Sequence, residues 1–257
     1  MAKSVNFIGL EDFPAVKQGD DLAKLIVAAI RKNQVSLNDG DVIVVAHKVV
    51  SKSEGRIVVL KDVKASERAE HVARVTPRDP RLVELVLQES RQTVKATPEI
   101  LIVQNKQGWT CINAGVDKSN VEGEDAYALL PVDPDNSARR LRSEIFKCTG
   151  RKIAVIISDT YSRPFRRGQV EFAIGIAGLD PFRDYRGQKD LSGHVLKVKN
   201  TAVADEIASA AELLMGQGDE GMPVVIIKNL SNVKVKEDAS SAELLISKDE
   251  DLFTGTL

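Results

Sequence analysis

Residues 153–169 place the strongest constraint on how this chain can fold. The stretch opens with five consecutive apolar residues at positions 153–157, and four of the five are β-branched. A continuous run of this kind predicts a strand that is covered on both faces, because alternate side chains of a strand point to opposite sides. The chain is therefore expected to contain at least one fully buried strand.

The same stretch ends in polar and basic residues. Ser158, Asp159 and Thr160 supply a carboxylate beside two hydroxyls, and such oxygen ligands suit a hard cation such as Mg²⁺ or Mn²⁺. Guanidinium groups, which bind phosphate or carboxylate, follow at Arg163, Arg166 and Arg167. These residues alone support two interpretations equally: a site that handles phosphate, or a strand end with a surface loop of ion pairs.

The composition argues against several classes of protein. The 257 residues suffice for one large domain or two small ones. A net charge of −1 argues against bulk nucleic-acid binding, which usually requires excess basic residues. Two cysteines are too few for a disulfide framework, the N-terminus lacks the apolar region of a signal peptide, and no run reaches the ~20 apolar residues of a transmembrane helix. We expect a cytoplasmic protein without nucleic-acid or membrane partners.

The predicted elements favour an α+β fold with largely antiparallel sheets. Hairpins are mixed with separate helices, and no regular alternation of strand and helix is present. Strands are predicted at residues 5–8, 42–46, 57–60, 100–103, 109–112, 153–157, 172–177, 194–198 and 223–227. Helices are predicted after Asp20 or Asp21, at 66–74, at 79–91, from Asp135 to Gly150 and at 202–215. Gly175 predicts a bulge or a close backbone approach within its strand.

A glycine-rich segment follows the last predicted helix. Gly216, Gly218 and Gly221 have the spacing of a dinucleotide-binding fingerprint, but that fingerprint needs a strand before it and a helix after it. Here a helix precedes and a strand follows, so a Rossmann site is rejected, and no P-loop motif occurs. The segment either presents backbone N–H groups to a phosphate or forms a helix cap and turn.

Two further groups of polar residues follow predicted strands. His47, Lys48 and Lys52 come after the strand at 42–46, where lysines can contact phosphates, although a solvated face is the commoner explanation. Asp117 and Asn120 lie on a polar loop, where the usual structure is an Asx turn. With Asp159 and Thr160 they could also form an oxygen-ligand metal site.

The cysteines and two of the histidines are expected to have no chemical role. Cys111 lies on a predicted strand and Cys148 on an apolar helix face, so inert core thiols are favoured over nucleophiles. His71 and His194 lack the spacing of metal ligands, and both are expected to be structural.

Several segments together resemble one known family, the coenzyme F420-0:L-glutamate ligases, also called F420-0 gamma-glutamyl ligases. The matching segments occur in the order of the family and span nearly the whole chain. They are residues 41–56, 113–121 with 129–135, 157–169, 184–187, and 202–208 with 214–216. No single segment is decisive, but the set is specific. The resemblance implies a single F420-0 gamma-glutamyl ligase-like unit over residues 1–257, built from two intertwined subdomains.

The resemblance also implies an activity. By this resemblance, the protein would add L-glutamate to coenzyme F420-0 and convert GTP to GDP. It would need two divalent cations, Mg²⁺ or Mn²⁺, and would form a homodimer. A monovalent cation such as K⁺ would be an addition to these. An amide cannot form directly from a carboxylate, so phosphoryl transfer from GTP would first give an acyl phosphate that the glutamate amine attacks. GDP and phosphate would be released.

The resemblance assigns residues to these ligands. Metal would be held by Asp117, Asp159, Thr160 and Gln217. GTP would be held by Phe13, Pro14, Ala15, Val16, His47, Lys48, Lys52, Asn120, Leu213, Leu214, Met215, Gly216, Gln217, Gly218, Asp219 and Glu220. Catalytic roles would fall to Asp159, Arg163 and Arg166, with the arginines on phosphate or on the carboxylate of the acceptor.

The chain departs from the family pattern at two places, which keeps other functions open. His47 and Lys48 stand where some members carry small hydroxyl residues, and Gln217 stands where an acidic residue can occur. The alternatives are a glutamate ligase for another acceptor such as a folate, a regulatory module that binds GTP and metal without turnover, and a simple metal phosphohydrolase.

Overall fold

The computed structural model describes residues 3–231, 233–247 and 249–251. Within these residues the strands are β1 (Asn6–Gly9), β2 (Val42–Ala46), β3 (Ile57–Val59), β4 (Ser90–Ala96), β5 (Leu101–Asn105), β6 (Thr110–Ile112), β7 (Ala126–Ala128), β8 (Ala154–Ser162), β9 (Gln169–Ala177), β10 (Arg183–Asp184), β11 (Asn200–Thr201) and β12 (Val224–Lys228). The helices are α1 (Leu22–Lys32), α2 (His47–Ser53), α3 (Glu67–Val75), α4 (Pro80–Gln88), α5 (Pro134–Thr149) and α6 (Val203–Met215).

A five-stranded sheet in the order β1-β12-β2-β8-β9 forms the centre of the fold. The pair β2–β8 is parallel, and the other neighbours in this sheet are antiparallel. Because side chains alternate along a strand, Ile43 and Val45 pack in a core with α1 and α5, whereas Val42 and Val44 pack in a core with α6. The buried strand predicted at 153–157 is confirmed, and so is the α+β class with largely antiparallel sheets.

A smaller sheet in the order β4-β5-β6 has a core of its own, formed with α3 and α4. The predicted hairpin of β5 and β6 is confirmed. The helix predicted to reach residue 91 is wrong at its end, because α4 stops at Gln88 and β4 begins two residues later. Strand β4 carries mostly polar, exposed residues, so it lacks the apolar alternation that would predict a strand. The division of the chain into two intertwined subdomains stays a prediction.

The strand that begins in the apolar run, β8, is longer than predicted. β8 continues through Asp159 and Thr160 to Ser162, because β9 pairs with it from Val155 to Ser162. The register between these strands shifts by one residue at Gly175, which confirms the predicted bulge. Gly175 also lies against α5: a Cβ at this position would be 2.4 Å from the carbonyl oxygen of Pro134.

Two further predictions are wrong in detail. Asp133, not Asp135, caps α5 by accepting a hydrogen bond from the Asn136 N–H. Asp135 instead accepts hydrogen bonds from the N–H groups of Ile176 and Ser241, so it ties β9 and the segment around Ser241 to the helix. Residues 194–198 form only an isolated bridge at Val195 rather than a strand.

In the described part of the chain, none of the helices has the length and hydropathy needed to span a membrane.

Candidate active site

Two adjoining cavities meet where β8 passes Asp159. The smaller has a volume of about 430 Å³ and the larger about 600 Å³. Asp159, Thr160 and Gln217 line both of them, so these three side chains form a shared wall. Asp159 and Thr160 come from β8, and Gln217 comes from the loop after α6. A ligand in either cavity would therefore reach the polar end of the strand that the sequence singled out.

The four residues predicted to hold metal all line the larger cavity. Asp117 reaches it from the polar loop that follows β6, and the N–H of Ser119 donates to its Oδ1, so the Asx turn is present as well. Burial opposes ionisation of Asp117, but hydrogen bonds from Lys48 and Ser119 outweigh it and lower its pKa. Over residues 3–231, 233–247 and 249–251, no three His, Cys, Asp or Glu side chains cluster as a metal site. Any cation here would need hydroxyl and amide oxygens as well.

Most of the residues predicted to hold GTP line the smaller cavity. It is lined by the predicted residues Phe13, Pro14, Ala15, Val16, His47, Lys48, Lys52, Asn120, Met215, Gly216, Gln217, Gly218 and Asp219. Leu213, Leu214 and Glu220 do not line it. Leu213 is 82% exposed, Leu214 packs against the core under α6, and the Glu220 carboxylate accepts from the Gly218 N–H at 2.9 Å.

Helix α2 directs its basic side chains into the site rather than to solvent. His47 is 3% exposed, and its Nε2 lies 3.2 Å from Asp159 Oδ1. Lys48 Nζ lies 2.7 Å from Asp117 Oδ2. Burial lowers the pKa of Lys52, and the charge of Lys48 acts in the same direction. The solvated face that sequence statistics favour at these positions is therefore wrong.

The glycine-rich segment at residues 216–221 contacts the polar loop that carries Asn120. Asn120 Nδ2 donates to the carbonyl oxygen of Gly218 at 3.1 Å. Gly216 follows α6 with φ of 63°, a conformation that favours glycine, and its N–H bonds to Glu212 as a helix cap does. The segment lies between α6 and β12, so the rejection of a Rossmann arrangement is confirmed.

The three arginines after β8 lie in different surroundings. Arg163 lines the larger cavity, its Nε is buried without a hydrogen-bond partner, and its guanidinium also donates to the carbonyl oxygen of Arg167 at 3.3 Å. Arg166 and Arg167 are exposed and line neither cavity. The structure therefore brings Arg163 to the site and leaves the predicted catalytic Arg166 outside it.

Glu171 is a site residue that the sequence interpretation missed. It is buried, lines the smaller cavity together with Ser158, and lies on β9 opposite Thr160. Burial raises the pKa of the Glu171 carboxyl, and the neighbouring Asp159 carboxylate adds to this shift. The local sequence contained no signal, because a glutamate between Val170 and Phe172 fits the usual alternation of a strand with one solvated face.

The two cysteines and the histidines His71 and His194 lie in different surroundings. Cys111 is partly buried in the wall of the larger cavity, and burial raises the pKa of its thiol to about 12, so an inert thiol is supported. Cys148 is exposed, so the prediction that it is a core thiol is wrong. His71 and His194 are exposed and line neither cavity.

Taken together, the site has two lysines, two cavities and a shared wall of oxygen donors. Lysines can neutralise the charge of a polyphosphate, and carboxylate, hydroxyl and amide oxygens suit a hard divalent cation. The larger cavity adds apolar side chains from Ile100, Ile102 and Tyr161. Such an arrangement can place a nucleotide on one side of a cation and a second, partly apolar molecule on the other.

Comparison with known proteins identifies the family. The model of the F420-0:Gamma-glutamyl ligase family matches residues 11–229. The chain is 44% identical to a coenzyme F420:L-glutamate ligase from Methanothermobacter thermautotrophicus, over 98% of this chain and 99% of the relative. Relatives of the same name from Archaeoglobus fulgidus and Methanocaldococcus jannaschii are 44% and 40% identical, over 97% and 98% of this chain and 96% and 97% of the relatives. The chain belongs to the F420-0:gamma-glutamyl ligase family.

Proposed function

We propose that this chain is a ligase that adds L-glutamate to coenzyme F420-0, with GTP as the phosphoryl donor and Mg²⁺ or Mn²⁺ as cofactor. The named activity of its relatives supports the reaction type and the acceptor. The observation that carries the proposal for this chain is the wall of Asp159, Thr160 and Gln217 shared by two cavities. A reaction that transfers the γ-phosphoryl group of a nucleotide to a second substrate needs this arrangement, because that group must face the acceptor.

The residues of the shared wall fit a hard cation. Two buried polar atoms beside Asp159 have no hydrogen-bond partner, Ser158 Oγ and Glu171 Oε2, and the buried His47 Nε2 contacts the Asp159 carboxylate at 3.2 Å. Buried polar atoms are normally paired, so such a concentration at one place indicates a missing ligand. Asp159, Thr160 and Gln217 would hold one cation, and Asp117 would contribute from the side of the larger cavity. A bound divalent cation would supply positive charge against the phosphate oxygens.

The chain's own residues then have separate tasks. In the smaller cavity Lys48, Lys52 and the N–H groups of the glycine-rich segment would bind and orient the phosphates. In the larger cavity Arg163 would orient the acceptor carboxylate. A carboxylate oxygen of the acceptor attacks the γ-phosphorus and GDP leaves. The glutamate amine then attacks the acyl carbon of the resulting acyl phosphate, phosphate leaves and the amine gives up a proton, which completes the amide.

The function is tested by incubating the full chain with F420-0, GTP, Mn²⁺ and L-glutamate. The expected products are a mass gain of one or more glutamyl units and an equal amount of GDP. An acceptor panel that includes a folate identifies a different acid as the substrate. Phosphate release without glutamate would indicate a phosphohydrolase, and tight GTP binding without turnover would indicate a regulatory module; either result contradicts the ligase proposal.

Replacing Lys52 by methionine is expected to weaken GTP binding by about 10- to 100-fold. The lysine lines the smaller cavity and is partly buried, and loss of one charge-assisted contact in such a place costs about 1.5–3 kcal/mol. Calorimetry with GTP and Mn²⁺ measures the Kd. Lys61→Met, an exposed lysine outside both cavities, is the control. Equal affinity of Lys52→Met and wild type would remove Lys52 from the nucleotide site.

The homodimer and the monovalent cation stay predictions, and both can be measured on the same preparation. Sedimentation equilibrium of the full chain gives the oligomeric state, with twice the mass of 28.0 kDa expected for a dimer. Activity with K⁺ compared with a large organic cation at equal ionic strength tests the monovalent cation.

A further inference from the structure

Glu171 is the most deeply buried carboxylate at the candidate site. It is 6% exposed, and it lines the smaller cavity beside Asp159. Its position depends on the bulge in β9. Ile157 pairs with Gly175 but Ser158 pairs with Ala173, so the register advances by one residue and Thr160 lies opposite Glu171. Directly opposite residues of antiparallel strands project from the same face, so both side chains reach the same place.

The two carboxylate oxygens of Glu171 have different surroundings. Oε1 lies 3.0 Å from Thr160 Oγ1 and accepts from Gln217 Nε2 at 3.1 Å. Because the amide nitrogen of Gln217 is engaged by Glu171, its amide oxygen is turned to Thr160 Oγ1, at 3.0 Å. Oε2 is buried and has no hydrogen bond of good geometry, and the nearby Ser158 hydroxyl partly offsets the effect of burial on the carboxyl pKa. No ion pair joins Glu171 to a basic side chain within the described ranges 3–231, 233–247 and 249–251.

Burying a carboxylate without a cationic partner lowers the stability of the fold. A side chain that only filled space at this position would not need to be a carboxylate. A glutamine would fill the same volume and keep an acceptor oxygen for Thr160 and Gln217 without that cost. A function that needs negative charge at this position explains why a carboxylate stands there. Glu171 lines the smaller cavity together with Ser158, His47 and Asp159.

We propose that Glu171 completes the divalent cation site. Its Oε1 positions the side chains of Thr160 and Gln217, and its Oε2 is a further oxygen ligand. This inference rests on the proposed function, because that function supplies the cation. It adds a second carboxylate beside Asp159, and so supplies negative charge that Thr160 and Gln217 lack.

The test uses Mn²⁺ alone, bound to the full chain, with Glu171→Gln as the variant. Glutamine keeps the volume and one acceptor oxygen, so the hydrogen bond with Thr160 can persist while the charge is lost. We expect the Kd for Mn²⁺, measured by calorimetry and by the electron paramagnetic resonance of free Mn²⁺, to rise by about 10- to 100-fold. Without metal, the Tm of the variant is expected to equal or exceed that of wild type.

The control is Asp205→Asn. Asp205 is another partly buried carboxylate that accepts from a backbone N–H of β9, at Ala173, and burial raises its pKa, but it lines neither cavity. Its variant also removes a carboxylate charge while an acceptor oxygen for the Ala173 N–H remains, so it is expected to bind Mn²⁺ as wild type does. A lower Tm for metal-free Glu171→Gln together with unchanged Mn²⁺ affinity would overturn the proposal in favour of a packing role.

The outcomes separate this inference from the proposed function. If wild type binds no Mn²⁺ with or without GDP, the cation-dependent function fails and the inference fails with it. If wild type binds Mn²⁺ and Glu171→Gln binds it equally, only the inference fails. Should Glu171→Gln not fold, Glu171→Asp replaces it: the charge stays but the shorter side chain withdraws both oxygens, so weaker Mn²⁺ binding is required and unchanged affinity contradicts the proposal.

Discussion

Replacement of Asp159 by asparagine is expected to lower turnover by about a thousandfold or more while the fold is retained. Asp159 lies in the wall that both cavities share, so its charge is close to any group that passes between them. An amide is a much weaker ligand for a hard cation, and loss of about 4 kcal/mol of transition-state stabilisation corresponds to about a thousandfold in rate. The measurement is GDP and glutamyl-product formation at saturating GTP, Mn²⁺ and L-glutamate.

The fold should survive this change because asparagine has the same size and can still accept the hydrogen bond that the Thr160 N–H donates to Asp159 Oδ1 at 2.7 Å. Circular dichroism and the Tm of the metal-free protein check this point. Asp39→Asn is the matched control, since Asp39 precedes β2 and therefore lies at the opposite end of the parallel pair β2–β8. Activity of Asp159→Asn near that of the control would remove Asp159 from the catalytic centre.

Local patterns in the sequence predicted β2, β8 and α6, which carry part of the site, but not helix α2 or the first residues of β9. The apolar run before Ser158 predicted β8, and the absence of a strand before the glycine-rich segment correctly excluded a Rossmann site. These features depend on neighbouring residues, so side-chain alternation and cap residues are sufficient to recognise them. The extension of β8 to Ser162 was missed because pairing with β9, not its own composition, keeps those residues extended.

The convergence of the site depends on contacts between distant parts of the chain. Asp117, Asp159 and Gln217 lie on three separate elements, and nothing in their spacing places them around one cavity. Their assignment came from the resemblance to a family. The burial of α2 against the site was also unpredictable from its own sequence, since lysines are usually exposed. Glu171 was missed because its role follows from a bulge that changes which β9 residue faces Thr160.

The bulge itself leads to the second prediction: Gly175→Ala is expected to destabilise the protein by about 3 kcal/mol or more. The added Cβ would lie 2.4 Å from the carbonyl oxygen of Pro134 and 2.9 Å from its Cβ. Both are parts of the first turn of α5, which Asp133 and Asp135 fix by hydrogen bonds, so the helix cannot yield as a flexible side chain could. For a chain of this size the Tm should fall by about 6–12 °C, measured by thermal unfolding without ligands.

The control separates steric overlap from backbone strain. Gly40→Ala places a Cβ where nothing lies within 4 Å, but Gly40 has φ of 86°, so its cost of about 1–2 kcal/mol is conformational. Gly175→Ala should exceed it, although Gly175 has no such strain. Because relief of the overlap requires β9 to move away from α5, Glu171 should shift relative to Thr160, and Mn²⁺ binding should weaken only in Gly175→Ala. A loss of stability no greater than that of Gly40→Ala would contradict the close packing of β9 on α5.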